Sequence, residues 1–474
     1  MRRLALTLVL PLCCACSGAT PAPDAGLLGT GSAGDAGPSD AGPPSTDCPE
    51  LDGGPNPWVA TAGQPQLPGD LGHLTLCVHT RSLSAADLTA ATGEAVQTGA
   101  NEFVIQYISQ APRGVLRHVT ALLYLPDDQQ PGHALVALSH ATSGLGPSCG
   151  PTHDASFASD QLGLPLVAAG YAVVASDYPG MGIDDGSSTY LVGEGEALAV
   201  LDSAKAMAEF HDSRFDVDQL SGELFLAGHS QGGHSSLFAH QLFATDLAPQ
   251  PLPALGDAGF HFLGSLSFAP ALGDLRGLGL FLGNPGTQTA NNPFVPLAFY
   301  ANALYRGYGP DAGIGDGGPL LQPAAQQQLP PMIHDTCFPT LFESLPAAFP
   351  TLGDLFPLAF QTHAASCAFD GRPCPSFEPW GTWIQADIPG NFHSDVPALL
   401  LQGEQDTLVP PETTACIAVR LADAGTPTQT CGYPKADHLS IVPIAISDAL
   451  RWMAARRQGQ TLDVCDAGVQ ETCQ

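Results

Sequence analysis

Positive charge is scarce in this chain of 474 residues: 15 lysines and arginines stand against 46 aspartates and glutamates, a formal net charge of −31. So acidic a composition argues against nucleic acid or an anionic membrane surface as partner, since both recruit basic patches. Outside the first nineteen residues no paired C-x-x-C spacing occurs, which removes the usual sequence basis for a zinc site. The triplet Asp-Ala-Gly recurs at 257–259, 311–313, 423–425 and 466–468. Neither a calcium loop closed by glutamate nor a regular nonapeptide repeat surrounds it, so these triplets read as polar turns. Past Leu12 no stretch is apolar enough for a transmembrane helix. No metal and no cofactor is expected.

Glycine and proline are plentiful, 53 and 44 residues, above ordinary usage but unevenly spread. Residues 1–19 open with Arg2 and Arg3, continue with an apolar run from Leu4 to Leu12, and end in small residues. This is the pattern of an export signal. Ala15-Cys16-Ser17-Gly18 resembles a bacterial lipidation site with Cys16 as the acylated residue, although Cys13 and Cys14 depart from the usual pattern. Cleavage near Ala19 is the competing outcome. The chain is therefore expected to be secreted or lipid-anchored at the cell envelope. Residues 20–57 carry scarcely any large apolar side chain and read as a flexible tether. Ten cysteines remain beyond the signal, an even number that suggests disulfides in an exported protein; Cys416 with Cys431 and Cys465 with Cys473 are the expected local pairings.

From residue 58 to 270 short apolar strands alternate with helices. Residues 101–109 and 114–126 read as an antiparallel pair opening a sheet, and 133–140, 171–180, 223–228 and 260–270 as further strands. Glu194–Phe210 has apolar residues at helical spacing with acids near its start, as the helix dipole favours. The alternation implies an α/β fold, a mostly parallel central sheet flanked by helices on both faces. The pattern fails between 271 and 395, a Phe-, Leu- and Pro-rich stretch too long for a connection and read as a cap. It resumes from 396 to 474 with an apolar strand at 397–403 and a last amphipathic helix after residue 440.

One strand ends in Gly228-His229-Ser230-Gln231-Gly232, the G-x-S-x-G pattern of a nucleophile elbow. A serine at the carboxyl end of a parallel strand, with a helix starting behind it, sits where ligands gather in such sheets. Glycines two positions either side leave room for the strained turn. An alcohol needs a base, and in this arrangement acid and histidine follow the serine along the chain. His234 and His240 fall on the following helix and His229 points across the turn, leaving His261, His334, His363, His393 and His438. His438, after a short strand-like segment and before the last helix, is the candidate base. Asp406, after the strand at 397–403, is the candidate acid, with Glu404 in reserve. His393 and Asp395, before that strand, are assigned to loop hydrogen bonds, and Asp437 to solvent. The candidate oxyanion donors are backbone N–H groups of Gln231 and, from the loop after 133–140, Thr142, with Ala141 as alternative. Cys149 either pins that loop by a disulfide or is a buried thiol.

Taken together, "LSHATSGLGPSCGPT", "DYPGMG" with "YLVGEGEA", "GHSQGGH" and "LLLQGEQDTLVPP" followed by Asp437-His438 resemble the secretory lipase family of α/β-hydrolases, from about residue 100 to 456. The resemblance implies an α/β-hydrolase fold with a capping insertion, a serine ester hydrolase activity, and Ser230, Asp406 and His438 as triad. The oxyanion loop departs from it, reading His140-Ala141-Thr142 where many relatives have His-Gly-Thr. The expected substrate is a small-molecule ester or lipid and the expected state a monomer. A peptidase or amidase with the same triad, and a non-catalytic surface lipoprotein, are the alternatives.

Overall fold

A computed structural model describes residues 48–61, 71–128, 130–214, 219–245, 259–272, 298–303, 320–358, 360–361, 380–465, 467–469 and 473. The expected signal, Cys16 and the tether up to 47 lie outside the described residues. The chain runs through β1 (Leu74–Leu83), α1 (Ala85–Thr92), β2 (Ala100–Ala111), β3 (Val115–Pro126), β4 (His133–Ser139), α2 (Asp160–Ala168), β5 (Ala172–Ser176) and α3 (Gly193–Arg214). There follow β6 (Leu220–His229), α4 (Gln231–Thr245), β7 (His261–Phe268), α5 (Pro323–Asp335), α6 (Thr340–Ala348) and α7 (Trp380–Ala386). β8 (Ala398–Gly403), α8 (Pro411–Ala424), β9 (Thr428–Tyr433) and α9 (Ile441–Arg457) complete it.

The nine strands form one sheet in the order β1-β2-β3-β5-β4-β6-β7-β8-β9. β1, β2, β3 and β5 pair antiparallel in succession, and every pairing from β5 through β4 to β9 is parallel. The antiparallel opening pair is β2 with β3 as expected, but the sheet opens one strand earlier, with β1. Every residue of β4 and β5 is buried, as continuous apolar runs in a parallel sheet require. Side chains of β4 alternate between two cores: Val136 and Leu138 pack with α2 and α9, while Leu135 and Ala137 pack with α3 and α4. Both sheet faces are thus covered, and strand ends are where polar chemistry can be presented.

Residues 48–51, inside the stretch read as tether, are fastened to β1 by the Cys48–Cys77 disulfide and by Leu51 N–H donating to the His79 carbonyl at 3.0 Å. The expected pairings of Cys416 with Cys431 and Cys465 with Cys473 are wrong: the bonds join Cys416 to Cys473 and Cys431 to Cys465. The terminal segment runs back beside β9, where Gly432 N–H donates to the Ala467 carbonyl at 3.0 Å, so Cys465 faces Cys431. Between β7 and β8, α5 and α6 contribute to a separate apolar cluster with Leu329, Leu341, Leu345 and Phe356, which also takes in Tyr190, Leu191 and Val192. Among the described residues no helix is long and apolar enough to cross a membrane.

Candidate active site

β6 delivers Ser230 to a sharp turn before α4. Its φ of 58° lies in the left-handed region, costly for a residue with a Cβ. The neighbourhood holds it there: Ser230 N–H donates to the Phe268 carbonyl at 2.8 Å, and its own carbonyl accepts from His234 N–H and Ala271 N–H, each at 3.1 Å. The flanking glycines are explained by space. A Cβ on Gly228 would stand 2.2 Å from the Gly232 carbonyl oxygen, and one on Gly232 2.0 Å from that of Ser139. The elbow is therefore pressed against the segment leaving β4.

Ser230 Oγ lies 2.9 Å from His438 Nε2, and His438 Nδ1 lies 2.7 Å from Asp406 Oδ2. All three residues are buried. The other carboxylate oxygen, Asp406 Oδ1, accepts from Leu408 N–H at 2.9 Å and Val409 N–H at 2.8 Å, the turn after β8 closing on the acid that begins it. With the carboxylate as acceptor, His438 carries its proton on Nδ1, leaving Nε2 free to accept from the serine hydroxyl. His229 supports the ring from behind by donating from Nε2 to the His438 carbonyl at 2.9 Å. Burial, with a smaller effect from nearby His438, pushes the His229 pKa down to about 3, so it stays a neutral donor.

Gln231 is the first residue of α4, so its backbone N–H has no acceptor within the helix. Thr142 follows β4, its Oγ1 3.1 Å from the Tyr190 hydroxyl. Tyr178 donates to the His140 carbonyl at 2.9 Å, fixing the start of that loop. Further along, Cys149 forms a disulfide with Cys337, which settles the choice between a pinned loop and a free thiol.

The other candidates lie elsewhere. Glu404 sits beside Gly432 on the β9 side, and its N–H donates to the Tyr433 carbonyl. Asp437 is exposed and accepts from Leu439 and Ser440 N–H groups ahead of α9. His240 is buried between the Ser265 and Ser394 hydroxyls, and His234 contacts the Asp387 carbonyl. His393 contacts the Ala424 carbonyl; His363 lies outside the described residues. Sequence reasoning missed Glu196, which it assigned to the helix dipole. Its carboxylate is fully buried and accepts from Gln231 Nε2 at 2.6 Å. Asp387 was missed as well: burial raises its pKa well above the usual carboxylate range, against hydrogen bonds from Gly193 N–H and Tyr300. Among the described residues no cluster of three or more histidine, cysteine or acidic side chains could hold a metal ion.

A model of the secretory lipase family matches residues 158–258, the stretch that carries α2, β5, α3, β6, the elbow and α4. The resemblance read from the sequence is borne out by that match. Among curated proteins the sequence has no match. The fold is similar to that of the rice cell wall degrading esterase LipA from Xanthomonas oryzae, at 17% identity and a TM-score of 0.64, over 82% of this chain and 98% of that one. It is also similar to Candida antarctica lipase A in its closed state, at 15% identity and a TM-score of 0.61, over 87% of this chain and 91% of that one. This likeness establishes the α/β-hydrolase fold.

Proposed function

We propose that the protein is an exported serine carboxylic ester hydrolase of the lipase or esterase type. The observation that carries this reading is the unbroken chain from Ser230 Oγ through the His438 imidazole to Asp406, at 2.9 and 2.7 Å. Ser230 Oγ attacks the ester carbonyl carbon while its proton passes to His438 Nε2. The tetrahedral oxyanion is held by backbone N–H groups of Gln231 and Thr142. Collapse expels the alcohol, which takes the proton from His438, and leaves an acyl group on Ser230. Water, deprotonated by the same imidazole, then releases the acid, and Asp406 orients the ring and balances its charge throughout.

The described part of the stretch 271–395, with α5 and α6, is read as belonging to a cap over this site. Support comes from the apolar cluster in which Leu341, Leu345 and Phe356 pack with Tyr190 and Leu191, the segment that also touches Thr142. Large aliphatic surface beside a pocket suits an acyl chain or lipid-like substrate. Export is supported by four disulfides among the described residues; the protein is then either retained at the cell envelope by a lipid anchor at Cys16 or released by cleavage near Ala19. The protein works as a monomer without cofactor.

A panel of p-nitrophenyl esters of increasing chain length, with a matching anilide, tests the reading on wild type and Ser230→Ala. Ester turnover lost in Ser230→Ala is expected, and the chain-length optimum separates lipase from short-chain esterase. Faster anilide than ester cleavage would favour a peptidase or amidase. No turnover by a folded wild type would favour a binding lipoprotein.

A further inference from the structure

Glu196 lies in the first turn of α3, fully buried, and its two oxygens gather three donors, two from α4 and one from the turn before α3. Oε1 accepts from Gln231 Nε2 at 2.6 Å and from Leu191 N–H at 2.9 Å; Oε2 accepts from Ser235 Oγ at 2.5 Å. Such a buried acceptor is expensive to place unless its oxygens are supplied with donors, as they are here.

The two partners of Oε1 lead to the two candidate oxyanion arms. Gln231 supplies one N–H from its backbone, and among the described residues its side chain has no other anchor: Oε1 of its amide is buried there without a hydrogen-bond partner. The carboxylate therefore fixes the amide and, through it, the first residue of α4. Leu191 has φ 54°, strained for a residue with a Cβ, and its N–H bond to Glu196 is one of the contacts that constrain that turn. Next to it, Tyr190 places its hydroxyl 3.1 Å from Thr142 Oγ1, on the other arm.

Resting on the proposed serine hydrolase reading, we infer that Glu196 is a positioning residue that sets the spacing of the two oxyanion donors, gripping Gln231 directly and Thr142 through Leu191 and Tyr190. It touches no reacting atom. Its effect falls on the transition state, where the oxyanion needs donors at hydrogen-bond distance, and hardly on ester binding.

Glu196→Leu removes the grip. Glu196→Gln keeps one oxygen for Gln231 and Leu191 while its amide nitrogen can donate to Ser235 Oγ. The measurements are kcat per titrated active site and KM for a p-nitrophenyl ester, and Ki for a trifluoromethyl ketone, whose hemiketal oxyanion occupies the same donors. For Glu196→Leu, kcat is expected to fall about 30-fold with KM within twofold, the range in which small misplacements act. Ki should rise by a similar factor, and Glu196→Gln should recover most of both. Should Glu196→Leu fail to fold, Gln231→Leu, which keeps the backbone N–H but cuts the tether, is expected to give the same pattern. A folded variant with kcat within threefold of wild type, or a fall in kcat without a parallel rise in Ki, overturns the inference. A wild type that turns over no ester overturns the functional reading, and this inference with it.

Discussion

The His438 carbonyl accepts a hydrogen bond from His229 Nε2 at 2.9 Å, so the residue immediately before the candidate nucleophile holds the backbone of the candidate base, 209 positions away in the chain. The two rings lie 4.8 Å apart. One turn therefore presents the hydroxyl on one side and steadies the imidazole on the other.

His229→Leu leaves a buried carbonyl without its donor, a loss of about 1–3 kcal/mol. Because the contact positions the base, part of that loss should appear in the rate: kcat for a p-nitrophenyl ester is expected to fall about tenfold. With a pKa near 3, His229 keeps its neutral form through the acidic and neutral range, so the deficit should not change between pH 6 and 8. Steady-state rates at both pH values check this, and a wild-type rate would count against the role.

Asp202, on α3, accepts from Ser109 Oγ at 2.7 Å, and burial pushes its pKa up to about 7. In the unfolded chain the carboxyl titrates near 3.9. Between those values the folded state holds a proton that the unfolded state has lost, so this group favours folding most below the unfolded pKa. That contribution is lost as pH rises through about 7, amounting to a few kcal/mol at alkaline pH. Asp202→Asn keeps an oxygen for Ser109 and removes the titration. Urea denaturation is expected to show the variant gaining stability over wild type on going from pH 5 to pH 8.5. An unchanged difference between the two would contradict the shifted titration.

The Cys149–Cys337 disulfide spans 188 positions and ties the loop after β4 to the residues following α5. Phe338 N–H also donates to the Ser143 carbonyl at 3.0 Å. In the chain-entropy model a closure of that length contributes about 5 kcal/mol, an upper figure for engineered comparisons. The double variant Cys149→Ser with Cys337→Ser is expected to melt at a distinctly lower temperature. It should also lose kcat, since the candidate oxyanion loop is anchored at that point. Calorimetry with activity at a temperature where both proteins stay folded measures the two effects, and an unaltered melting temperature would sink the first.

The central strands were legible because burial on both faces leaves an unmistakable mark: β4 and β5 are continuous apolar runs between turn residues. β1 was not, since "LTLCVHTRSL" is an edge strand with polar residues on its half-exposed positions. Helices between β7 and β8 were hidden by Pro330, Pro331 and Pro346, which lie inside α5 and α6 and look like breakers in a sequence. Ser230 could be read from local pattern alone, because its demand for flanking glycines is local. Asp406 and His438 needed the order of elements along the chain; the structure places His438 against Ser230 and Asp406 against His438. The disulfides could not be read by proximity, because the terminal segment folds back along β9. Glu196 carried only the signal of a helix start; its grip on Gln231 exists in three dimensions, across 35 positions.

The most direct test is covalent. Wild type, Ser230→Ala and His438→Ala are treated with a fluorophosphonate and analysed by intact mass and peptide mapping. A single adduct on the peptide carrying Ser230 is expected, absent in Ser230→Ala and slowed on the order of 10⁴-fold in His438→Ala, as for groups that act as one unit. A folded wild type that takes no label, or takes it on a different residue, would contradict the assignment of Ser230, His438 and Asp406.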